Sequence, residues 1–381
     1  MPVPVPPSDP RTAVPGKPAK YLPQLDGLRG IAILTVLLHH FHVHLPAWVD
    51  WGPIGVRLFF LLSGYLITMS LWKLNARAAA GAGWWRGLWD FHTRRFTRLA
   101  PVLYLMLLAA FLLGLPFFGR EIAWHAAFLT NFYAMIHDQW PGPASHLWSL
   151  SLQEQFYVLW PFVIVAIPRR FLPIVLVGLF LSAFGFRFWA TATNASDFVR
   201  WVMLPGVIDS FALGALVSCW KAAPGRAPIM SGRLGAVVAI AALGCYVTAR
   251  FMRYATFNSP FLALTETFEN VFLAWVMLRT IEGWPGLAGR FFASPGLVYI
   301  GKISYGIYVF HVLVHVVVGP WLDAMGLQPF VFARAVVLSA VSIGVATLSW
   351  LYLEQPLTTW IRRREAARRD PAAVTSEVPA S

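Results

Sequence analysis

The chain has 381 residues, of which 58% are hydrophobic and 12% charged, and its formal net charge is +13. Because the apolar residues come in long blocks rather than in amphipathic stripes, this composition excludes an ordinary soluble domain and indicates a polytopic membrane protein. A positive charge of this size would suggest nucleic acid as the partner of a soluble protein. Here the basic residues lie in short stretches between apolar blocks, so we interpret the charge as a topology signal and expect no nucleic-acid partner.

The two ends of the chain differ in composition from the middle. Residues 1–24 are rich in proline and lack the apolar core of a signal peptide, so we predict a disordered cytoplasmic tail. Residues 25–360 are predicted to form one membrane domain, and the basic residues 361–381 a second disordered cytoplasmic tail. Cys219 and Cys245 both lie in apolar stretches, so we expect neither a disulfide framework nor a cysteine metal site.

Eleven apolar blocks follow one another along the chain. They lie near residues 31–46, 54–73, 100–118, 122–136, 153–168, 171–190, 204–220, 231–249, 259–281, 297–318 and 330–352. If all eleven crossed the membrane from a cytoplasmic amino terminus, the later basic clusters would face outward, against the positive-inside rule. We therefore interpret the short block 122–136 as a re-entrant or interfacial helix. The predicted fold is an all-α transmembrane bundle of about ten spans with both termini cytoplasmic. Residues 48–53 and 138–147 would then be external, and residues 75–95 internal.

The first apolar block carries ionisable residues at both ends of the sequence QLDGLRGIAILTVLLHHFHVHLP. Arg29 opens it, and His39, His40, His42 and His44 crowd its far end. In a helix, Arg29 and His40 lie about 16 Å apart along the axis and close to one face. Ionisable residues at membrane depth usually serve function, which makes His40 a candidate site residue. The other histidines are interpreted as an interfacial cluster. A zinc site using His40 and His44 is an alternative that lacks a clear third ligand.

A second candidate site lies at the start of the third block, in the sequence FHTRRFTRLAP. Arg95 and Arg98 are three residues apart and project from one helical face, whereas Arg94 is predicted to point elsewhere. Paired guanidinium groups can bind phosphate in a bidentate manner, so this pair is a candidate phosphate site. The alternative is a plain basic anchor of the helix at the inner membrane surface.

A third candidate site lies in the stretch HLWSLSLQEQFYVLWP, which places Gln153 and Glu154 among apolar residues. A carboxylate in such surroundings must become neutral or take a cationic partner, so Glu154 is a candidate functional residue. The alternative is a capping box, in which Ser151 is the N-cap of the helix and Glu154 follows three residues later.

Six stretches of the chain resemble, in the same order, blocks of the acyltransferase-3 family of membrane acyltransferases. They are LDGLRGIAILTVLLHH, GVRLFFLLSGYLIT, RRFTRLAP, HLWSLSLQEQFYVLWP, IGKISYGIYVFH and YLEQP. The resemblance extends from Leu25 to about Trp360. It implies an integral, multi-pass protein of the bacterial inner membrane that transfers an acyl group, expected to be acetyl, from cytoplasmic acyl-CoA to a hydroxyl of a carbohydrate or glycosylated acceptor. Acyl-CoA would be a co-substrate, and no bound cofactor or metal is expected.

The resemblance also implies roles for individual residues. The family's essential arginine and histidine correspond to Arg29 and His40, and its Arg-x-x-Arg motif to Arg95 and Arg98. His40 would act as general base on the acceptor hydroxyl or as a transient acyl carrier, since a neutral imidazole can do either. Arg95 and Arg98 would bind the phosphates of coenzyme A.

Further positions complete the predicted site. Asp26 is expected to orient Arg29, which would hold the pantetheine end of coenzyme A or stabilise the developing oxyanion. Where the family carries two successive glutamates, this chain has Gln153 and then Glu154, so either Glu154 takes the acidic role or the amide suffices. The predicted catalytic residues are His40, Arg29, Glu154 and Asp26. The predicted substrate-binding residues are Ser149, Gln153, Tyr305 and His311.

Two other classes of function stay open. A transporter or flippase would use buried charges as a substrate or proton path, namely Asp26, Arg29, Asp209, Glu266 and Glu269. Against this alternative, no pseudo-symmetric pair of halves is visible. A non-catalytic scaffold would not need an arginine and a histidine on one face of the first helix. The acceptor is open as well, since a surface polysaccharide, a sugar-bearing antibiotic and a lipid all fit the resemblance.

Overall fold

The computed structural model describes residues 21–43, 46, 49–115, 121–223, 232–255 and 263–369, and this part of the chain is helical throughout, without β-strands. The prediction of an all-α fold is therefore confirmed. In chain order the α-helices are α1 (Pro23–His40), α2 (Trp51–Arg77), α3 (Trp84–Leu112), α4 (Ile122–Ala126), α5 (Thr130–His137), α6 (Leu147–Ala166), α7 (Leu172–Ala192), α8 (Asp197–Val202), α9 (Leu204–Ala222), α10 (Arg233–Ala255), α11 (Leu264–Glu282), α12 (Gly286–Phe292), α13 (Pro295–Lys302), α14 (Ser304–Ala324), α15 (Val331–Ser349) and α16 (Gln355–Arg369).

Within the described ranges, seven helical segments are long and apolar enough to cross a membrane. They are α2, α3, α7, α8 with α9, α10 up to Met252, α14, and α15 with the first part of α16. The chain is thus a membrane protein, as its composition predicts. The count of about ten spans is not confirmed, because α1, α6 and α11 fall outside this set. Each of those three helices has 18 to 20 residues and carries carboxylate side chains.

The block 122–136 forms two short helices, α4 and α5, instead of one predicted helix. The chain turns between them at Phe128, whose φ is 56°, in the left-handed region. The longer of the two, α5, has eight residues and rises about 12 Å, far less than the ~30 Å hydrocarbon core of a bilayer. Neither helix can span a membrane, which agrees with the interpretation of this block as a segment that does not cross the bilayer.

α1 packs within the bundle against α2, α11, α13 and α14. Its approach to α12 and α13 depends on glycine, because a Cβ atom added at Gly27 would collide with the backbone carbonyl of Phe292. A Cβ atom added at Gly301 of α13 would likewise collide with the backbone carbonyl of Asp26. The small residues after Leu25 therefore bring the polar end of α1 into backbone contact with the segment that precedes α14.

The predicted terminal tails are only partly described. Residues 1–20, His44 and residues 370–381 lie outside the described residues. Residues 361–369 belong to α16, where the sequence predicted disorder, because the helix continues after a π-helical turn at Trp350–Glu354.

Candidate active site

α1 and α14 lie side by side and run in the same direction. At their amino-terminal halves, Nη2 of Arg29 donates a hydrogen bond to Oγ of Ser304 at 3.2 Å. Farther along, the ring centroids of His40 and His311 are 4.7 Å apart. Two stretches from opposite ends of the sequence therefore form one polar surface inside the bundle.

One cavity, of about 460 Å³, opens beside the amino-terminal halves of these helices. We call it the arginine cavity, because its lining includes Arg29, Arg94, Arg95 and Arg98. Its other polar lining residues are Ser63, Ser70, Ser149, Gln153, Tyr157, Ser304, Tyr305 and Tyr308. Among the described residues that line it, none is acidic, so the cavity is suited to an anionic ligand.

The predicted separation of Arg94 from the other arginines is wrong. Arg94, Arg95 and Arg98 all lie on α3 and all line the arginine cavity. Positions on one helical turn differ in direction, but arginine has a long flexible stem, so neighbours on different faces can reach the same space. Spacing alone therefore understated the number of cations at this site.

Arg95 contacts α6 at two points. Its guanidinium lies over the ring of Tyr157, 3.1 Å from the centroid, and its Nε is 3.7 Å from Oε1 of Glu154. The Tyr157 hydroxyl donates to Oε1 of Gln153 at 3.3 Å. Gln153 lines the cavity, whereas Glu154 faces Arg95 and is not among the lining residues. The amide thus faces any ligand, and the carboxylate acts on the arginine.

The capping-box alternative for Glu154 is wrong. α6 begins at Leu147, one turn before Ser151, so Ser151 lies inside the helix. Its Oγ donates to the backbone carbonyl of Leu147 at 3.0 Å and accepts from the backbone N–H of Thr130 at 3.2 Å. Glu154 therefore does not cap the helix. Its carboxylate instead lies opposite the guanidinium of Arg95.

Asp26 stands beside Arg29 without a hydrogen bond to it. The separation of Nη1 of Arg29 from Oδ1 of Asp26 is 3.9 Å, while Tyr21 donates to Oδ2 of Asp26 at 2.8 Å. The directional contact of the guanidinium is the one to Ser304, a residue that sequence reasoning did not single out. Asp26 supplies charge next to Arg29, and Ser304 fixes its orientation.

A second cavity, of about 500 Å³, lies at the carboxy-terminal ends of α1 and α14. We call it the histidine cavity. Its lining residues are His39, His40, His42, Pro143, Ser145, Val312, His315, Val316, Pro320, Asp323 and Arg334. His40 and Arg29 both contact α14, as a shared face predicts, but they open into different cavities.

The other histidines of the first block also have polar surroundings. Nδ1 of His39 is 2.9 Å from Oδ1 of Asp50, and the ring of His42 is 5.6 Å from that of His315. These two histidines line the cavity as well as flank the helix end. Across the described ranges, no group of three or more His, Cys, Asp or Glu residues has an arrangement that could hold a metal ion.

Three imidazole rings cluster at the inner end of the histidine cavity. The ring of His311 is 4.7 Å from that of His40 and 4.9 Å from that of His146, and the rings of His40 and His146 are 6.2 Å apart. His146 and His311 are buried. Sequence reasoning missed His146, because it precedes the apolar block and reads as part of a loop.

Hydrogen bonds define the tautomer of these rings when they are neutral. In each ring, Nδ1 faces the backbone carbonyl of a residue three or four positions earlier, at 3.0 Å for His40, 3.3 Å for His146 and 2.7 Å for His311. Because a carbonyl only accepts, Nδ1 carries the proton and Nε2 keeps its lone pair. In the part of the chain that is described, Nε2 of His146 and of His311 has no hydrogen-bond partner. The cluster is therefore rich in proton acceptors.

Tyr308 forms part of the wall between the arginine cavity and the imidazole cluster. Its ring is 5.4 Å from that of His146 and 5.7 Å from that of His311. Its hydroxyl donates to the backbone carbonyl of His146 and accepts from Oγ of Ser149 at 2.6 Å. Tyr308 and Ser149 also line the arginine cavity, so the Tyr308 ring lies between that cavity and the rings of His146 and His311.

The four predicted substrate-binding residues fall in two places. Ser149, Gln153 and Tyr305 line the arginine cavity, and the Tyr305 hydroxyl donates to the backbone carbonyl of Leu99 at 2.6 Å. His311 lies behind the wall, beside His40. The motifs therefore identify residues around both cavities, but they do not reveal that the cavities are separate.

Glu354 is a further residue that the sequence analysis did not single out. It is buried at the end of the π-helical turn, where Oε1 accepts from Oγ of Ser349 at 3.4 Å. Its carboxylate is close enough to Arg98 to attract it electrostatically. The same signal that identified Glu154, a carboxylate within an apolar block, could have identified Glu354 in the stretch YLEQP.

Of the buried charges that suggested a transporter, Asp26 and Arg29 lie on α1, whereas Asp209 lies on α9 and Glu266 and Glu269 lie on α11. Arg57 pairs with Glu269, and its Nη2 is 3.9 Å from Glu266. Nη2 of Arg187 is 2.8 Å from Oδ2 of Asp209. None of the residues in these ion pairs lines either cavity. They form ion pairs between helices, and they do not join the polar end of α1 in one path.

Comparison with known proteins gives one family match and several relatives. The family model described as an acyltransferase domain, of the acyltransferase-3 type, matches residues 22–353. Peptidoglycan O-acetyltransferase OatA of Listeria monocytogenes is 29% identical over 366 residues, which cover 89% of this chain and 56% of that protein. O-acetyltransferase OatA of Staphylococcus aureus is 24% identical over 372 residues, covering 89% of this chain and 57% of that protein.

A third relative matches a shorter part of the chain. The putative peptidoglycan O-acetyltransferase YrhL of Bacillus subtilis is 36% identical over 162 residues, which cover 38% of this chain and 24% of that protein. The chain therefore spans about half the length of the two relatives that it matches most fully. No solved structure matches this chain.

Proposed function

This chain belongs to the acyltransferase-3 family, and we propose that it is an integral membrane O-acyltransferase. It would move an acyl group, expected to be acetyl, from cytoplasmic acyl-CoA to a hydroxyl of a carbohydrate or glycosylated acceptor. The relatives named as O-acetyltransferases favour acetyl, and those named for peptidoglycan favour a glycan of that kind as acceptor. The observation that carries the proposal is a cationic cavity, lined by arginines of α1 and α3, next to an imidazole cluster formed by His40, His146 and His311.

The arginine cavity is the proposed donor site. Arg95 and Arg98, with Arg94 beside them, would bind the phosphates of coenzyme A, because guanidinium groups form charge-assisted bidentate hydrogen bonds with phosphate. A volume of about 460 Å³ lies within the range of small-ligand pockets. Arg29 lines this cavity and is hydrogen-bonded to Ser304, and the thioester carbonyl would accept a hydrogen bond from it there as negative charge develops.

His40 is the proposed base or acyl carrier. As a base, its Nε2 takes the proton of the acceptor hydroxyl while the hydroxyl oxygen bonds to the thioester carbonyl carbon. The carbon–sulfur bond breaks, and the departing thiolate takes up a proton. As a carrier, Nε2 first bonds to the thioester carbonyl carbon and the carbon–sulfur bond breaks. In a second step the acceptor oxygen bonds to that carbon, the carbon–nitrogen bond breaks, and the hydroxyl proton passes to the freed imidazole. In either case the acyl group has to reach His40 past the wall that Tyr308 helps to form, so we propose that this side chain moves when acyl-CoA binds.

The membrane topology in this proposal has ten spans. They are the seven apolar segments together with α1, α6 and α11. The charges of these three helices contact the cavities or pair inside the bundle, as Arg29, Glu154 and Glu269 do, so they need not face lipid. Both termini are then cytoplasmic in the inner membrane. The arginine cavity faces the cytoplasmic supply of acyl-CoA, and the histidine cavity faces the opposite side.

The experiment that tests this function uses the purified full chain in lipid nanodiscs. Radiolabelled acetyl-CoA is supplied with and without soluble peptidoglycan glycan fragments, and both free acetate and labelled glycan are measured. We expect label on the glycan, and loss of that label in the His40→Ala protein. Absence of both hydrolysis and transfer in the unaltered protein contradicts the proposal, and uptake of unmodified glycan into sealed vesicles would favour a transporter.

A further inference from the structure

We propose that the histidine cavity binds the acceptor, and that Asp323 and Arg334 form the subsite that holds its sugar ring. This inference rests on the proposed function, in which the acceptor is a carbohydrate, and it adds where that carbohydrate binds and which residues recognise it. Neither residue belongs to the motifs that identify the family resemblance.

The lining of the cavity suits a ligand rich in hydroxyl groups. Six of its eleven lining residues are ionisable, namely four histidines, Asp323 and Arg334. Pockets for apolar ligands are lined mainly by hydrophobic side chains with few polar groups. Here donors and acceptors surround the space, so the ligand must make many hydrogen bonds of both kinds, as a polyhydroxylated ring does.

Asp323 and Arg334 form an oriented pair. Nε of Arg334 is 2.8 Å from Oδ1 of Asp323, Nη2 is 3.3 Å from Oδ2, and Nη2 also approaches Nε2 of His315 at 3.4 Å. A guanidinium has five N–H donors and a carboxylate about four acceptor positions. These contacts leave capacity on both groups, and two adjacent hydroxyls of a sugar could use a donor and an acceptor of the pair together.

The helix beneath the pair leaves space for it. A Cβ atom added at Gly319 of α14 would lie 2.9 Å from Nη2 of Arg334 and 3.1 Å from the ring of His315. Any other residue there would push the guanidinium and the imidazole away from their present positions. The small residue in α14 therefore lets Arg334, which comes from α15, lie against the wall of the histidine cavity.

The location connects this subsite with the chemistry. His40 lines the same cavity, and its Nδ1 is engaged with the backbone carbonyl of Val36, so Nε2 is the atom available to a ligand. A sugar held by Asp323 and Arg334 would present a neighbouring hydroxyl to that nitrogen. The hydroxyl proton goes to Nε2, the new carbon–oxygen bond forms at the acyl carbon, and the carbon–sulfur bond of the donor breaks.

The test compares Asp323→Asn and Arg334→Gln with a matched pair elsewhere. Asp197 and Arg200 of α8 form the same kind of ion pair and line neither cavity, so Asp197→Asn and Arg200→Gln are the controls. In nanodiscs, we measure KM for soluble peptidoglycan glycan fragments and KM for acetyl-CoA. We expect KM for the glycan to rise about tenfold in the two test variants, well beyond any change in KM for acetyl-CoA. The two controls should show neither rise.

A binding measurement separates failure of this inference from failure of the proposed function. Saturation-transfer NMR with the same glycan fragments is recorded on the His40→Ala protein, with and without Arg334→Gln. Glycan signals that vanish with Arg334→Gln support the acceptor subsite even if no acetyl transfer is found. Glycan signals that persist unchanged with Arg334→Gln overturn it, whether or not transfer occurs. Where transfer is found, a glycan KM unaffected by Asp323→Asn and Arg334→Gln overturns it as well.

Discussion

The imidazole rings of His40 and His311 stand nearly at right angles, with an interplanar angle of 75° and centroids 4.7 Å apart. The first residue ends α1 and the second lies in the middle of α14. The same two helices bring Arg29 against Ser304 at their other end. A parallel pair of helices thus carries an anion-binding group toward one cavity and a proton acceptor toward the other. The proposed transfer from a charged donor to a neutral hydroxyl requires such an arrangement.

His40→Ala should reduce acetyl transfer by at least about a hundredfold, since positioned general bases contribute factors of this size or more. The matched control is His137→Ala. His137 is exposed, its ring contacts Tyr133, and it lines neither cavity. Transfer to glycan fragments is measured at equal amounts of membrane-inserted protein. If His40→Ala keeps full activity, the assignment of the catalytic nitrogen to this residue is wrong.

His311→Asn should lower kcat for transfer by about tenfold or more and alter KM for acetyl-CoA much less. The asparagine removes the Nε2 lone pair that can accept a hydrogen bond from protonated His40, whereas His311 does not line the donor site. Steady-state kinetics supply the two constants, and thermal unfolding in detergent shows whether the buried substitution disturbs folding. A fall in kcat accompanied by an equally large rise in KM for acetyl-CoA would indicate a general distortion of the protein and not an effect on the imidazole cluster.

The sequence predicts a large part of this site and misses the rest for physical reasons. Arg29, Arg95 and Gln153 are recognisable because polar side chains within apolar blocks have a high cost in a membrane. His146 lies in a short 3-10 helix ahead of α6, outside the apolar blocks, so its sequence position does not mark it as buried. It becomes buried only because the folded chain packs it against His311. The direction of Arg94 depends on side-chain conformation, which helical spacing does not determine.

The span count shows the same limit. Hydropathy identifies helices that are apolar along their length, whether they face lipid or pack inside the bundle, so the seven apolar segments are evident from composition. α1, α6 and α11 bury their charges against other helices. Their charged and polar side chains lower the mean hydropathy of these three helices. The sequence could place them between basic clusters, but it could not show how their charges are compensated, since the partners Arg95 and Arg57 lie far away along the chain.

Arg95→Ala should weaken acetyl-CoA binding by about tenfold or more, because a hydrogen bond to a charged group contributes about 1.5–3 kcal/mol. It should also lower the unfolding temperature, since Glu154 loses its cationic partner in a largely buried place. Adding Glu154→Gln to Arg95→Ala should restore the unfolding temperature but not the binding of acetyl-CoA. Calorimetric titration and thermal unfolding separate the two effects. Recovery of donor binding in the double variant would contradict a phosphate-binding role for Arg95.

Tyr308→Phe should change the wall between the cavities without removing the ring. It deletes the hydroxyl that bonds to the carbonyl of His146 and to Ser149, so the ring is held less firmly, while its packing against the imidazoles is kept. We expect hydrolysis of acetyl-CoA without acceptor to rise relative to transfer, because water can reach the thioester more easily. The ratio of free acetate to labelled glycan measures this. The matched control is Tyr104→Phe, which removes a hydroxyl bonded to Ala126 outside both cavities.

The last prediction concerns which side of the membrane each end of α1 faces. Cys219 and Cys245 are first replaced by serine, and single cysteines are then introduced at Gly142, before α6, and at Gly87, in α3 near the arginines. If the ten-span topology holds, Gly142→Cys is labelled by a membrane-impermeant maleimide added to intact cells. Gly87→Cys is labelled only after the cells are opened, because the arginine cavity must face the cytoplasm to receive acyl-CoA. Labelling of Gly142→Cys only in opened cells would place the histidine cavity on the cytoplasmic side, and both cavities would then need new assignments.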